Sequence, residues 1–225
     1  MDPFIEDAEI WLQMNQVFDF NEYKKTVNWC NEDERLECLR YFRSITQDLR
    51  GHYPNILEIF QTEEVELLLL DSIKFPDGNF FIDFVARCGY KGEPDIDENG
   101  KPLLRRTTAV HHAAKRWFSN SDMNIPDQLF VIYNDFHVNY SDETGLTHFH
   151  AACTGGFVTV VRAFLEFGQD PNCAWLETGD SPLQLAVFRE HFEVVKLLLE
   201  YGANPNLANA EGLTSLHIVS RSKIE

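Results

Sequence analysis

Basic residues are scarce in this chain. Lys and Arg together number 19 against 36 Asp and Glu, which leaves a formal net charge of −17. Phosphate backbones and anionic lipid surfaces are held by clustered Lys and Arg, so this balance weighs against nucleic acid or a membrane surface as the main partner. Long apolar runs are missing too. The longest purely aliphatic run is residues 67–70, far short of the ~20 residues that span a bilayer. The first residues carry Asp2, Glu6, Asp7 and Glu9, where a secretory leader needs a basic start and an apolar stretch. The five cysteines are odd in number and lack metal-ligand spacing; they read as reduced thiols of a cytoplasmic or nuclear protein. A nucleophile elbow, a glycine-rich phosphate loop, a zinc-hydrolase His-Glu pair and a Cys/His dyad motif are all absent. The expectation is a non-catalytic chain with no catalytic residues, no cofactor and no small-molecule substrate. An enzyme housed in residues 1–100 is the rival reading.

What is present is an ordinary apolar fraction, 44%, enough to offset the ordering entropy of a folded chain. The charge is uneven. Residues 1–100 hold 22 acids and 9 bases, residues 101–225 hold 14 and 10. That asymmetry points to two differently built parts.

The C-terminal part repeats itself. Gly145-Leu146-Thr147-His148-Phe149-His150-Ala151-Ala152 aligns with Gly179-Asp180-Ser181-Pro182-Leu183-Gln184-Leu185-Ala186 and with Gly212-Leu213-Thr214-Ser215-Leu216-His217-Ile218-Val219, at offsets of 34 and 33 residues. Phe164-Leu165-Glu166-Phe167-Gly168-Gln169-Asp170-Pro171-Asn172 matches Leu198-Leu199-Glu200-Tyr201-Gly202-Ala203-Asn204-Pro205-Asn206, again 34 apart. Each residue type has a physical role. Thr147, Ser181 and Thr214 stand where a hydroxyl caps a helix. Pro182 follows at the first helical position, where its missing donor costs nothing. Val194, Val195, Leu197, Leu198 and Leu199 give a second helix an apolar face, and Gly202 ends it. One such unit cannot bury its faces alone, so stacking supplies the core.

A period near 33 with these residues resembles the ankyrin repeat. The resemblance is clear over 139–225, with about two full repeats and a truncated third, and weaker over 76–138. There Thr108-Ala109-Val110-His111-His112-Ala113-Ala114 reads as a first helix and residues 128–133 as its second. The excess length falls in residues 119–127, and 80–88 reads as an earlier second helix. The phrases Leu103-Leu104-Arg105-Arg106-Thr107-Thr108 and Gly168-Gln169-Asp170-Pro171-Asn172-Cys173 resemble the expanded ankyrin families of parasitoid insects. The implied fold class is all-α: an ankyrin solenoid of helix-turn-helix repeats with β-hairpin loops, preceded by an α-helical block over 1–75. That block is expected to hold four or five helices, one of them from Asp2-Pro3 to about Met14, and to cover the N-terminal end of the stack.

The resemblance implies a protein partner, held by hairpin tips and by the exposed side of each first helix. Carried onto this sequence, those positions are Glu143, Thr144, Leu146, Ala151 and Thr154; then Glu177, Thr178, Asp180, Leu185, Phe188 and Arg189; then Ala210, Glu211, Leu213, Ile218 and Arg221. Phe188 beside Arg189 is the preferred anchor, since aromatics and Arg dominate interface energetics; packing of Phe188 on Leu213 or Ile218 is the alternative. The resemblance also assigns His150, His217 and the substituted Gln184 to a slot that hydrogen-bonds between neighbouring loops. Glu190 stands where the family has glycine, which predicts backbone strain. An inhibitor that masks its partner and a ubiquitin-ligase substrate adaptor are the two specific roles within the binding class. Two decoys drop out. The His111-His112 and His148-Phe149-His150 clusters lack a third metal ligand. The run Asp95-Ile96-Asp97-Glu98-Asn99-Gly100 would place Arg106 where a calcium loop needs a bidentate glutamate, so it reads as a turn.

Overall fold

A computed structural model describes residues 19–46, 53–75, 78–119 and 126–222. The expected Asp2–Met14 helix and most of the 119–127 insertion lie outside them. The chain divides into two compact units, Met1–Tyr90 and Lys91–Glu225.

In the first unit, a helical stretch over 19–24 is followed by α1 (Glu32–Thr46), a 3₁₀ turn (Ile56–Glu58), α2 (Thr62–Lys74) and α3 (Asn79–Arg87). Acids Glu32, Asp33 and Glu34 sit in the first turn of α1, at the positive end of its dipole. The Asn31 side chain accepts from the Asp33 N–H. In α2 the cap is Gln61, whose N–H donates to the Glu64 side chain at 2.9 Å. The buried side of α1 is Arg35, Cys38, Leu39 and Phe42, spaced as one helical face. Phe42 is the hub of the core. Its ring centroid lies 5.2 Å from Phe20, 5.3 Å from Phe60, 5.8 Å from Phe81 and 5.0 Å from Phe84. Tilted and edge-on pairs of this kind add about 0.5–1.5 kcal/mol each beyond their buried area. Through Phe81 and Phe84, α3 is part of this core. The compact units therefore part at 90/91, whereas the sequence reading drew its boundary at 75/76.

A buried ion pair ties α1 to α2. Arg35 Nε donates to Asp71 Oδ2 at 2.6 Å, Nη2 to Oδ1 at 3.3 Å, and Nη1 to the Trp29 carbonyl at 2.7 Å.

In the second unit, helices come in pairs: α4 (Ala109–Ser119) with α5 (Leu129–Ile132), α6 (His148–Gly155) with α7 (Val158–Glu166), α8 (Pro182–Phe188) with α9 (Phe192–Glu200), then α10 (Ser215–Ser222). The first helices stack as α4, α6, α8 and α10, and α7 packs beside α9. Ala109, Ala113, Ala114, Ala151, Ala152 and Ala186 are buried, which is how successive first helices approach closely. The interleaved core is Phe149, Val161, Phe164, Leu183, Val194, Leu197 and Leu198.

The connecting loops are narrower than the expected β-hairpins. Among the described residues there are only isolated bridges, Ile96 with Pro102, Ser141 with Thr147 and Arg105 with Ser141. The turns are held by side chains instead. Asp97 Oδ1 accepts from the Asn99 and Lys101 N–H groups, Asp142 Oδ1 from Thr144 and Leu146, and Asn209 Oδ1 from Glu211 and Leu213. Asp97, part of the calcium-like run, is thus a turn former.

Glu190 has φ +58°, alone among described non-glycine residues in having a positive φ. Gly156, one repeat earlier, holds the same position at φ +74°.

Three substitutions test the stability of the two units. Replacing Glu190 with Gly removes a left-handed conformation that L side chains adopt at a cost. It is expected to raise the stability of the second unit by about 1 kcal/mol in urea denaturation; an unchanged or lower midpoint would refute the strain. Asp71→Ala leaves Arg35 charged and buried without its partner, and should cost about 3–5 kcal/mol. Lys25→Ala, which breaks an exposed pair with Glu22, should cost at most ~1 kcal/mol.

Candidate protein-binding surface

The loops before each first helix form a row of fingers, over residues 93–107, 139–147, 172–181 and 206–214. One side chain per repeat sets their position. In His150, Nδ1 faces the Thr147 N–H at 3.3 Å and Nε2 reaches the Cys173 carbonyl, in the next finger, at 3.3 Å. Because Nδ1 accepts, the neutral ring carries its proton on Nε2 and donates it to the carbonyl. His111 repeats the arrangement, with Nδ1 accepting from the Thr108 N–H at 3.0 Å and Nε2 donating to the Tyr140 carbonyl at 3.2 Å. Gln184 does the same with an amide. Its Oε1 accepts from the Ser181 N–H at 2.8 Å, and its Nε2 donates to the Leu207 and Leu213 carbonyls at 3.2 and 2.6 Å. His217 makes the first contact, to the Thr214 N–H at 3.2 Å.

Adjacent fingers also touch directly. Trp175 Nε1 donates to Thr144 Oγ1 at 3.1 Å, the Ala210 N–H to the Thr178 carbonyl at 2.9 Å, and Asn209 Nδ2 to Asp180 Oδ1 at 2.7 Å. Asp142 is buried and paired with Lys115 at 2.5 Å. Burial alone would raise its pKa; the hydrogen bonds from Lys115 and Thr144 outweigh it and hold the carboxyl below its usual value.

Between the fingers and the ends of the first helices lies a chain of rings. Trp175 in the third finger stacks on Phe118 of α4 at 5.3 Å and 28°. The Arg189 guanidinium lies 5.6 Å from the Phe118 ring, 4.1 Å from Trp117 and 5.3 Å from Phe188. Arg189 Nη2 also donates to the Trp117 carbonyl at 3.1 Å. Trp117 stacks on His191 at 6.0 Å, and His191 Nε2 bonds the Thr154 carbonyl at 2.9 Å. A Cβ on Gly156 would come within 2.6 Å of that imidazole. The bare end of α6 is what lets groups from the next repeat reach back to α4.

A family model described as ankyrin repeats (3 copies) matches residues 111–209 and 169–224, just over half of the chain. The chain belongs to the ankyrin-repeat family. It is also 37% identical over 83 residues to BCL-6 corepressor-like protein 1 of Homo sapiens; that stretch is 37% of this chain and 5% of the relative, so the chain spans about a twentieth of the protein it matches. Ankyrin repeats are protein-interaction modules, and the family is generally non-enzymatic. No described helix is long and apolar enough to cross a membrane. Among the described residues no group of three His, Cys, Asp or Glu side chains is placed to hold a metal ion.

The ankyrin stack divides the expected contact positions into two groups. Glu143, Glu177, Ala210, Glu211, Phe188 and Arg221 are exposed, and Thr144, Thr178, Asp180, Arg189, Leu213 and Ile218 are half-buried. Arg221 faces Glu211 at 3.6 Å. Leu146, Ala151, Thr154 and Leu185 are corrections: they are buried at 0, 0, 0 and 4% exposure and present nothing to a partner. Leu146 lies at the base of its finger, and the first helices that carry Ala151, Thr154 and Leu185 are only seven or eight residues long. Neighbouring helices and the finger close over all but the C-terminal end, where Phe188 emerges. The Thr154 hydroxyl is spent on the His150 carbonyl. Sequence reasoning missed Trp117, Phe118, Trp175 and Leu176. The available signal was the apolar pair Trp175-Leu176 in an otherwise polar finger.

The slot makes the ankyrin stack sensitive to acid. Burial pushes His111 and His150 down to about 4, and His148 well below the usual imidazole value. Asp142 pulls His111 back up, while Lys115 and His112 push it further down; His111 and Arg106 act on His148 in the same direction as burial. Each ring is neutral in the fold but titrates near pH 6.5 when unfolded. Stability is therefore full above about pH 6.5 and falls as pH drops toward about 4, where His111 and His150 take up protons in the folded state as well. The melting temperature of the second unit should decline across that window. His150→Gln, which installs the amide used at 184, should flatten part of the decline. A melting temperature that does not change over the window would refute it.

Proposed function

We propose that the second unit binds a protein partner through the finger row and the C-terminal end of α8, without chemistry of its own. The observation that supports this is the exposure of large apolar side chains on a surface whose loops are tied to one another by hydrogen bonds. Phe188 is 55% and Leu176 81% exposed, beside the rigid Trp117–Arg189–Phe118 contacts. An aromatic ring held in place by a guanidinium loses little freedom on docking, which is the property of an interface hot spot. Nucleic acid is disfavoured as partner, because the two middle fingers contain no Lys or Arg. Masking of a partner needs only this surface, whereas recruitment of a partner to other machinery needs a second contact as well; the proteins that co-purify with the chain distinguish them.

The test is affinity purification of the full chain and of Phe188→Ala, each followed by mass spectrometry and a melting curve. Loss of a partner, on the order of 2 kcal/mol or roughly 30-fold in affinity, with an unchanged melting temperature supports the anchor. A lowered melting temperature with binding retained would assign Phe188 to packing alone.

A further inference from the structure

The groove on this surface has walls of known composition. One is the third finger, with Leu176 and Glu177 over Trp175. The other is the end of α8, with Phe188 and Arg189. Phe118 connects them, in contact with Trp175 on one side and Arg189 on the other. The charge on the two middle fingers is one-sided. Fingers 139–147 and 172–181 hold Asp142, Glu143, Glu177 and Asp180 and no Lys or Arg; Asp142 is buried against Lys115. Glu143 and Glu177 are exposed, and neither forms an ion pair among the described residues. The nearest cation, Arg189, is already committed: three rings flank its guanidinium, Trp117 takes one of its N–H groups, and burial lowers its pKa. Its Nε is buried without a hydrogen-bond partner among the described residues, so it belongs to the packing beneath Phe188 more than to the finger surface. The C-terminal ends of α4 and α8 meet at the same place, and helix C-termini carry partial negative charge.

Resting on the binding role proposed above, we infer that the partner presents a basic segment, in which a large apolar side chain flanked by Lys or Arg lies in the groove between Leu176 and Phe188 and the flanking cations face Glu143 and Glu177. An acidic segment meets unpaired carboxylates of its own sign at Glu143 and Glu177. A neutral apolar segment leaves the finger acids unused, and its binding would not respond to salt.

Three short fluorescein-labelled peptides test this by anisotropy against the full chain, at low and at physiological salt. The first has Phe flanked by Lys and Arg, the second the same Phe flanked by Glu and Asp, and the third has the Phe of the basic peptide changed to Ser. The basic Phe peptide should bind at least about tenfold more tightly than either other, and should weaken as salt rises. Glu143→Lys with Glu177→Lys should cost about tenfold or more at an unchanged melting temperature, since both side chains are exposed. Equal or tighter binding of the acidic peptide, or full affinity in the doubly reversed variant, overturns the inference. If the acidic peptide binds and Phe188→Ala abolishes that binding, the surface stands and the basic partner does not. Failure of all three peptides also overturns the inference, while the Phe188-dependent capture judges the binding role separately. Self-association in sedimentation that is lost in Phe188→Ala would give the groove to a second copy instead.

Discussion

The first backbone N–H groups of a short helix have no partner within it, and in this stack they lie against the next repeat rather than in water. At 111, 150 and 184 one side chain resolves that constraint twice over. It accepts from the residue that begins its own helix and donates to the loop of the following repeat. Capping and stacking are therefore the same interaction. A group that accepts on one side and donates on the other is needed, which is met by a neutral imidazole or a primary amide. That is why Gln184 can stand among histidines, and why protonation of an imidazole, which removes the acceptor, works against the fold.

The finger row inherits its order from that bond. Each slot donor ends on a carbonyl in the next loop, so the loops cannot move independently. Asp97, Asp142 and Asn209 then close the turns from within, and Trp175 locks one finger to its neighbour through Thr144. With the backbone this well satisfied, strands are unnecessary, and isolated bridges are what remains. The apolar side chains that project from the fingers do so from a surface with little ordering left to lose.

The periodic part of this was legible in the sequence. Repeat offsets placed the helix starts at Thr147 and Ser181, the slot residues, the glycine helix ends and the strained Glu190. A period reports which residues are equivalent, however, and not how deep each lies. Leu146, Thr154 and Leu185 occupy positions expected to face a partner; Leu146 is folded into the base of its finger beside Asp142, and helices as short as those of Thr154 and Leu185 are covered by their neighbours. Contacts that skip a repeat were equally hidden. Arg189 reaches Trp117 across 72 residues, past an α6 end whose glycines offer no obstruction. No local pattern encodes that pairing. The first unit was legible only as amphipathic helices, because what joins them is non-local: the rings around Phe42 and the Arg35–Asp71 pair.

That skipped contact also shapes the electrostatics of the surface. Arg189 would be the obvious cation for an acidic partner, but Trp117 and Phe118 draw it into a structural role. Its charge is partly desolvated and its geometry fixed, so it stiffens Phe188 more than it attracts anything. Lys115 is withdrawn in the same way by Asp142, and Arg106 by the Glu93 carbonyl and the Tyr140 ring. With these cations engaged, the acids of the two middle fingers set the field that a chain approaching them meets first. The net charge of −17 is carried mostly by the first hundred residues, but at the two middle fingers, which contain no Lys or Arg, a few unpaired carboxylates suffice to give the surface its sign.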